Sequence, residues 1–120
     1  MSTPPIGNPL ATPTIPLSDG LRAAYKDLYD KLEAQYQATA DATVLGAIGP
    51  VRDNVSNILT KDDEYKFNQD SALFQALQAQ IASTNQGLAT LQTQIQATAA
   101  HFSTAGSILA AITKVFTFFS

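Results

Sequence analysis

The feature that most constrains this chain is an apolar spacing of three and four residues that runs from Phe74 to Phe119 without a slip. Its positions are Phe74, Leu77, Ile81, Thr84, Leu88, Leu91, Ile95, Thr98, Phe102, Ala105, Leu109, Ile112, Phe116 and Phe119, and eleven of these fourteen are large and apolar. Such spacing keeps one stripe of an α-helix apolar and does not suit the two-residue alternation of a strand. No proline follows Pro50. The pattern predicts one helix over 71–119, about 73 Å long at 1.5 Å per residue. Gly87 and Gly106 are its weak points, each costing about 1 kcal/mol relative to alanine, and either could instead mark a corner.

The first half carries a second, weaker stripe. Leu21, Tyr25, Leu28, Leu32 and Tyr36 recur at helical spacing, the stripe fades through Thr39, Ala40 and Thr43, and it resumes at Val44, Ile48, Val51, Val55 and Ile58. Between the halves, Gly46-Ala47-Ile48-Gly49-Pro50 predicts a kink or break, with Pro50 in the first turn of a new segment. Ser18 or Asp19 is the candidate N-cap of the first helix, and Asp70 or Ser71 that of the later one. Residues 60–70, TKDDEYKFNQD, read as a charged connection with Thr60 and Asp63 in position for a capping box. Five prolines within the first sixteen residues describe an extended arm over 1–17. Residues 18–120 then form a single helical domain with helical arms 18–59 and 71–119. The expected fold class is all-α, a long antiparallel helical hairpin or coiled coil. The alternative is a compact four-helix bundle with corners near Gly46–Pro50, residues 60–70, and Gly87 or Gly106.

Function is read from where charge is missing. Between Asp70 and Lys114 there is no Asp, Glu, Lys or Arg, and His101 is the one titratable side chain. A two-stranded coiled coil ordinarily flanks its seam with Glu and Lys. Here those places hold Gln, Ala, Thr, Ser and Asn. Neutral amides and hydroxyls can bond across a helix interface without the desolvation cost of a buried ion. The seam residues Phe74, Leu77, Ile81, Leu88, Leu91, Ile95, Phe102, Leu109, Ile112, Phe116 and Phe119 are assigned to helix packing. Gln78, Gln92, Gln96, Ile108, Val115 and Phe118 are the candidate outer interface. The expected function is a non-enzymatic structural or assembly subunit whose partner is itself, as a homo-oligomer, or other helical proteins. The arm would be a tether packed along a neighbour.

Ile108, Leu109, Ile112, Val115, Phe116, Phe118 and Phe119 leave almost no polar face on the last three turns. A soluble monomer cannot leave that surface in water. Leu21, Tyr25, Leu28 and Tyr29, with Leu10, Ile15 and Leu17 from the arm, are candidates to cover it from within. Two alternative functions use the same end: a membrane-active, pore-former-like subunit inserting residues 105–119, or a small adaptor docking on a partner protein.

The remaining chemistry is thin. A net charge of −3 with scattered basic residues gives no nucleic-acid face. The absence of cysteine removes disulfides and thiolate sites. His101 has no carboxylate near it in sequence; Asp27, Asp30 and Glu33 are candidate neighbours from the first helix. Asp62-Asp63-Glu64 lacks the alternating ligands and glycine of an EF-hand loop and reads as a solvated turn. Asn54-Val55-Ser56 matches a glycosylation sequon, but no signal peptide precedes it. No catalytic residue, cofactor or metal is expected. Neither a secretory leader nor a membrane-spanning stretch is read, which points to a cytoplasmic protein or one exported by a leaderless route or within a particle. The tryptophan-glycine turn of small secreted helical hairpins and the proline-rich turn of secretion-needle subunits are both missing. In kind, neutral Gln/Ala/Thr/Leu helices with an arm resemble the axial proteins of filaments, tails and secretion machines.

Overall fold

The computed structural model describes residues 15–119. They form an all-α chain, with no strand among the described residues. Helix α1 spans Asp19–Ala38, α2 Ala42–Phe67, α3 Ser71–Ala97 and α4 Ala105–Phe116, with a 3-10 turn, Ala99–His101, ahead of α4. Most of the expected arm, including Leu10, lies outside the described residues. Ile15 and Leu17 are described, and both pack against the core.

Each of the first three helices starts where a short polar side chain can accept an orphan amide. Ser18 Oγ accepts from the Leu21 N–H at 3.2 Å, Asp41 Oδ1 from Thr43 at 2.8 Å, and Asp70 Oδ1 from Ala72 at 2.6 Å. At the start of α4, Thr104 makes no such bond. Gln35 supplies it from α1. Its buried Oε1 accepts from the Thr104 N–H at 2.9 Å and from the Thr104 hydroxyl at 2.7 Å. Gln35→Leu is therefore expected to destabilise the chain by about 1–3 kcal/mol, since it leaves an amide and a hydroxyl without their acceptor. The check is the urea midpoint, which should fall at unchanged slope. An unchanged midpoint would mean that water caps α4 equally well.

Several expected boundaries move. α2 runs through Gly46–Pro50 without a break, and Pro50 sits in its third turn, not its first. Gly46 and Pro50 are both exposed, so the carbonyl that Pro50 cannot bond has access to water. Gly49 is there for close approach: a Cβ on it would lie 3.2 Å from the Tyr36 ring. The division between α1 and α2 falls instead at Thr39–Asp41, where the stripe fades and Asp41 caps α2. The connection expected over 60–70 shrinks to Asn68–Asp70, because α2 continues to Phe67; Thr60 and Asp63 lie inside that helix and start no new one. The region 71–119 is two helices. Its corner occupies residues 98–104, next to Gly106, while Gly87 lies within α3, where a Cβ would make only ordinary contact with Val51. The three-four spacing survives this corner because Phe102 stays buried inside it.

The four pieces lie side by side. Arg22 reaches Asp62, Glu33 reaches Arg52 and Tyr36 meets Gly49, which sets α1 antiparallel to α2. Tyr65 meets Phe74 edge to face at 5.8 Å, and Val51 meets Gly87, which sets α2 antiparallel to α3. Gln35 meets Thr104 and Gly20 meets Phe118, which sets α4 antiparallel to α1. The longest extent is 43 Å, close to the length of α3 alone at 1.5 Å per residue and well short of a 71–119 rod. These relations hold within an all-α chain of four helices. They place the starts of α1 and α3 and the ends of α2 and α4 together at one end, called here the proximal end. The core runs through the middle, from Leu17 and Phe119 at the proximal end to Val44 and Phe102 at the other.

Candidate interaction surface

Nine of the eleven seam residues are buried: Leu77, Ile81, Leu88, Leu91, Ile95, Phe102, Ile112, Phe116 and Phe119; Phe74 and Leu109 are half-buried. The proposed outer residues divide. Gln96 and Phe118 are exposed, and Gln78 and Gln92 are half-buried. Ile108 and Val115 are not outer at all, since both are fully buried. The reason is that α4, once turned at residues 98–104, packs on α1 as well as α3, so its apolar face is wider than one seam. The outward stripe of α3 is Gln75, Ala79, Ser83, Gln86, Thr90 and Thr93, all exposed.

Every Asp, Glu, Lys and Arg except Lys114 lies between Asp19 and Asp70. Because α1 and α2 are neighbours, this division becomes spatial. One side carries ion pairs, such as Lys26–Asp30 and Lys31–Asp27 at 2.8 Å and Arg52–Glu33 at 2.9 Å. The α3 side is neutral, and several of its hydroxyls bond their own helix: Thr90 Oγ1 donates to the Gln86 carbonyl and Thr93 Oγ1 to that of Ala89. Its amides and methyl groups are what face outward.

At the proximal end the sequence reading missed the most consequential charge. Asp62, expected in a solvated turn, is fully buried within α2. Its Oδ1 accepts from the Leu17 N–H at 2.9 Å, and its Oδ2 holds Arg22 at 2.8 Å and Lys66 at 3.2 Å. Arg22 also holds the exposed Asp63 at 3.0 Å. The signal was present: Asp62 continues the stripe of Val51, Val55 and Ile58. Tyr25 and Asn85 were likewise missed as a polar pair. The Tyr25 hydroxyl donates to Asn85 Oδ1 at 2.7 Å inside the core, and burial pushes that phenol well above its ordinary pKa. Asn85 Nδ2 has no partner among the described residues.

At the distal end His101 Nδ1 lies 2.7 Å from Asp41 Oδ2, not beside Asp27, Asp30 or Glu33. The His101 hydrogen bond, followed by the Thr43 amide, holds Asp41 below its ordinary pKa. A carboxylate depressed in the folded state adds stability above its unfolded pKa and loses it as pH falls through the folded value. The stability difference between the parent chain and Asp41→Asn is therefore expected to be largest near neutrality. It should shrink steadily below about pH 4. Urea midpoints measured at several pH values test this, and a difference that grows on acidification would contradict it.

Two shallow grooves accompany these features. One, of about 580 Å³, runs between α1 and α4 past Gly20, Ala23, Ser107 and Ala110, beside Asp27 and Lys114. The other, of about 390 Å³, lies between the start of α2 and the end of α3, lined by Thr43, Gly46, Gln94 and Thr98. Among the described residues, no group of three His, Asp or Glu side chains is arranged for a metal, and no helix is long and apolar enough to cross a membrane. Compared with protein-family models, curated proteins and solved structures, the chain finds no match.

Proposed function

We propose that this chain is a non-enzymatic structural subunit that self-assembles through the neutral face of α3. The observation that carries this reading is the segregation of charge: a helix of 27 residues with one exposed face and not one ionic side chain, beside helices that hold nearly all of them. Helix surfaces that stay in water are ordinarily laced with Lys and Glu, which keep neighbours apart. This one carries Gln for hydrogen bonding and Ala and Ser for close approach. The apolar side chains of α4 are already occupied inside the bundle, which favours the α3 face over the C-terminal end as the contact.

The test places charge on the outward stripe. Gln92 is half-buried, so Gln86→Lys with Thr93→Lys is the cleaner probe. The double variant is expected to keep its helix content by circular dichroism while its mass by light scattering falls to that of one chain. An oligomer that persists unchanged in the double variant would remove the α3 face as the interface.

A further inference from the structure

Among the described residues the large apolar side chains left exposed are Phe67 and Phe118, at 94 % and 41 %. Phe67 ends α2, beside the short connection Asn68–Asp70, whose residues are exposed as well. Three residues earlier, and so on the same side of the helix, Glu64 is exposed and makes no ion pair with a described residue. This corner of the molecule is a knob, an unshielded ring with a carboxylate at its side. Phe118 belongs to a hole. It lines the groove of about 580 Å³ between α1 and α4, together with the small residues Gly20, Ala23, Ala110 and Ala111. A Cβ on Gly20 would lie 3.0 Å from the Phe118 ring, so a larger residue there would push the ring aside. A cavity of about 150 Å³ already takes a benzene ring, and the groove therefore has room for a phenyl side chain with part of the turn that carries it. Two cations border it. Lys31 is held by Asp27 at 2.8 Å, whereas Lys114 is exposed and makes no ion pair with a described residue.

Within one chain knob and hole do not meet, since Phe67 lies outside the groove and is almost wholly in water. We propose that they meet between copies: Phe67 of one chain enters the α1–α4 groove of a second copy, its ring against Phe118, and Glu64 pairs there with Lys114. The match is double. An exposed ring finds an apolar recess with an aromatic wall, where edge-on or offset contact is favourable. A carboxylate without a partner finds an ammonium without one. The outward stripe of α3, which carries no charge, would leave Lys114 unanswered in the same groove. Knob and hole are different surfaces of the chain, so the contact is heterologous, and a copy bound through its knob still offers its hole to a third. It is a second contact, separate from the α3 face and independent of it. Made of one ring and one solvent-exposed ion pair, it is small and fills only at high protein concentration.

The chain contains no tryptophan, so Phe67→Trp supplies a single reporter on the knob. Both full-length proteins in the test carry Gln86→Lys and Thr93→Lys, which keeps the α3 face from bringing them together. The reporter adds Phe67→Trp and is held at low micromolar concentration. The acceptor adds Phe67→Ser, which leaves a hole without a knob, and is titrated into the millimolar range. Reporter emission is expected to shift to the blue and to saturate. Lys114→Glu in the acceptor should weaken the apparent affinity several-fold, and Glu64→Lys in the reporter should restore it against that acceptor. Ala110→Phe in the acceptor fills the groove from an exposed position and should abolish the shift while circular dichroism stays unchanged. Emission that remains that of a solvated indole at the highest acceptor concentration would overturn the proposal. A shift indifferent to Lys114→Glu and to Ala110→Phe would put the ring elsewhere on the second copy and overturn it equally. Light scattering of the α3 variants reads the α3 face alone, so a failure of either contact leaves the result for the other standing.

Discussion

Leu91→Asp is expected to leave the chain unfolded and, with it, unassembled. Leu91 is fully buried on α3, six residues before that helix ends, and belongs to the core. Deleting a leucine side chain from such a site costs about 2–5 kcal/mol through lost burial and the cavity left behind. The carboxylate adds a desolvation penalty of several kcal/mol, because no cation lies on α3 or α4 except Lys114. The sum reaches the whole stability ordinarily available to a domain, about 5–15 kcal/mol. Circular dichroism should show loss of most helical signal at room temperature. A folded Leu91→Asp protein with a cooperative melt would place Leu91 outside the core and refute the packing described here.

Asp62→Ala is expected to cost roughly 2–4 kcal/mol, the second largest effect. Truncation leaves the buried Leu17 amide without an acceptor and Arg22 and Lys66 without their shared partner. A broken buried ion pair ordinarily costs about 3–5 kcal/mol. The value here sits lower because the Arg22 and Lys66 side chains keep 31 % and 39 % of their surface in water. Asp62→Asn retains an acceptor for Leu17 and should lose less. Asp63→Ala, at a side chain 64 % exposed, should move stability by no more than about 0.5 kcal/mol. Urea unfolding of the three variants orders them, and a loss in Asp63→Ala equal to that in Asp62→Ala would mean the buried position carries no special weight.

Much of this fold was legible because helices announce themselves by period. The seams Leu21–Tyr36, Val44–Ile58 and Phe74–Phe119 lie in helices except at Thr98 and Phe102, in the corner, and at Phe119, just past α4. What the period does not encode is continuity. A corner that buries Phe102 keeps the same spacing as an unbroken helix, so the 98–104 turn was invisible to the pattern. Gly46–Pro50 misled in the opposite sense, since proline on an outward face removes a hydrogen bond that water can replace, and Gly49 answers to Tyr36 across the interface. Asp62 was misread for its company: Asp63 and Glu64 suggested a solvated run, whereas its register with Val55 and Ile58 placed it inside. Ile108 and Val115 were assigned outward because a single seam was assumed where α4 has two neighbours. The neutral face itself needed only the sequence, but its position opposite the charged helices needed the packing of α1 on α2.

The claim that α3 presents an assembly surface is tested most directly by absolute mass in solution, measured by light scattering over a wide range of protein concentration. The account predicts a mass well above the 12.8 kDa of one chain, rising with concentration. A mass of 12.8 kDa throughout would contradict it and leave the neutral face as a surface that water alone covers.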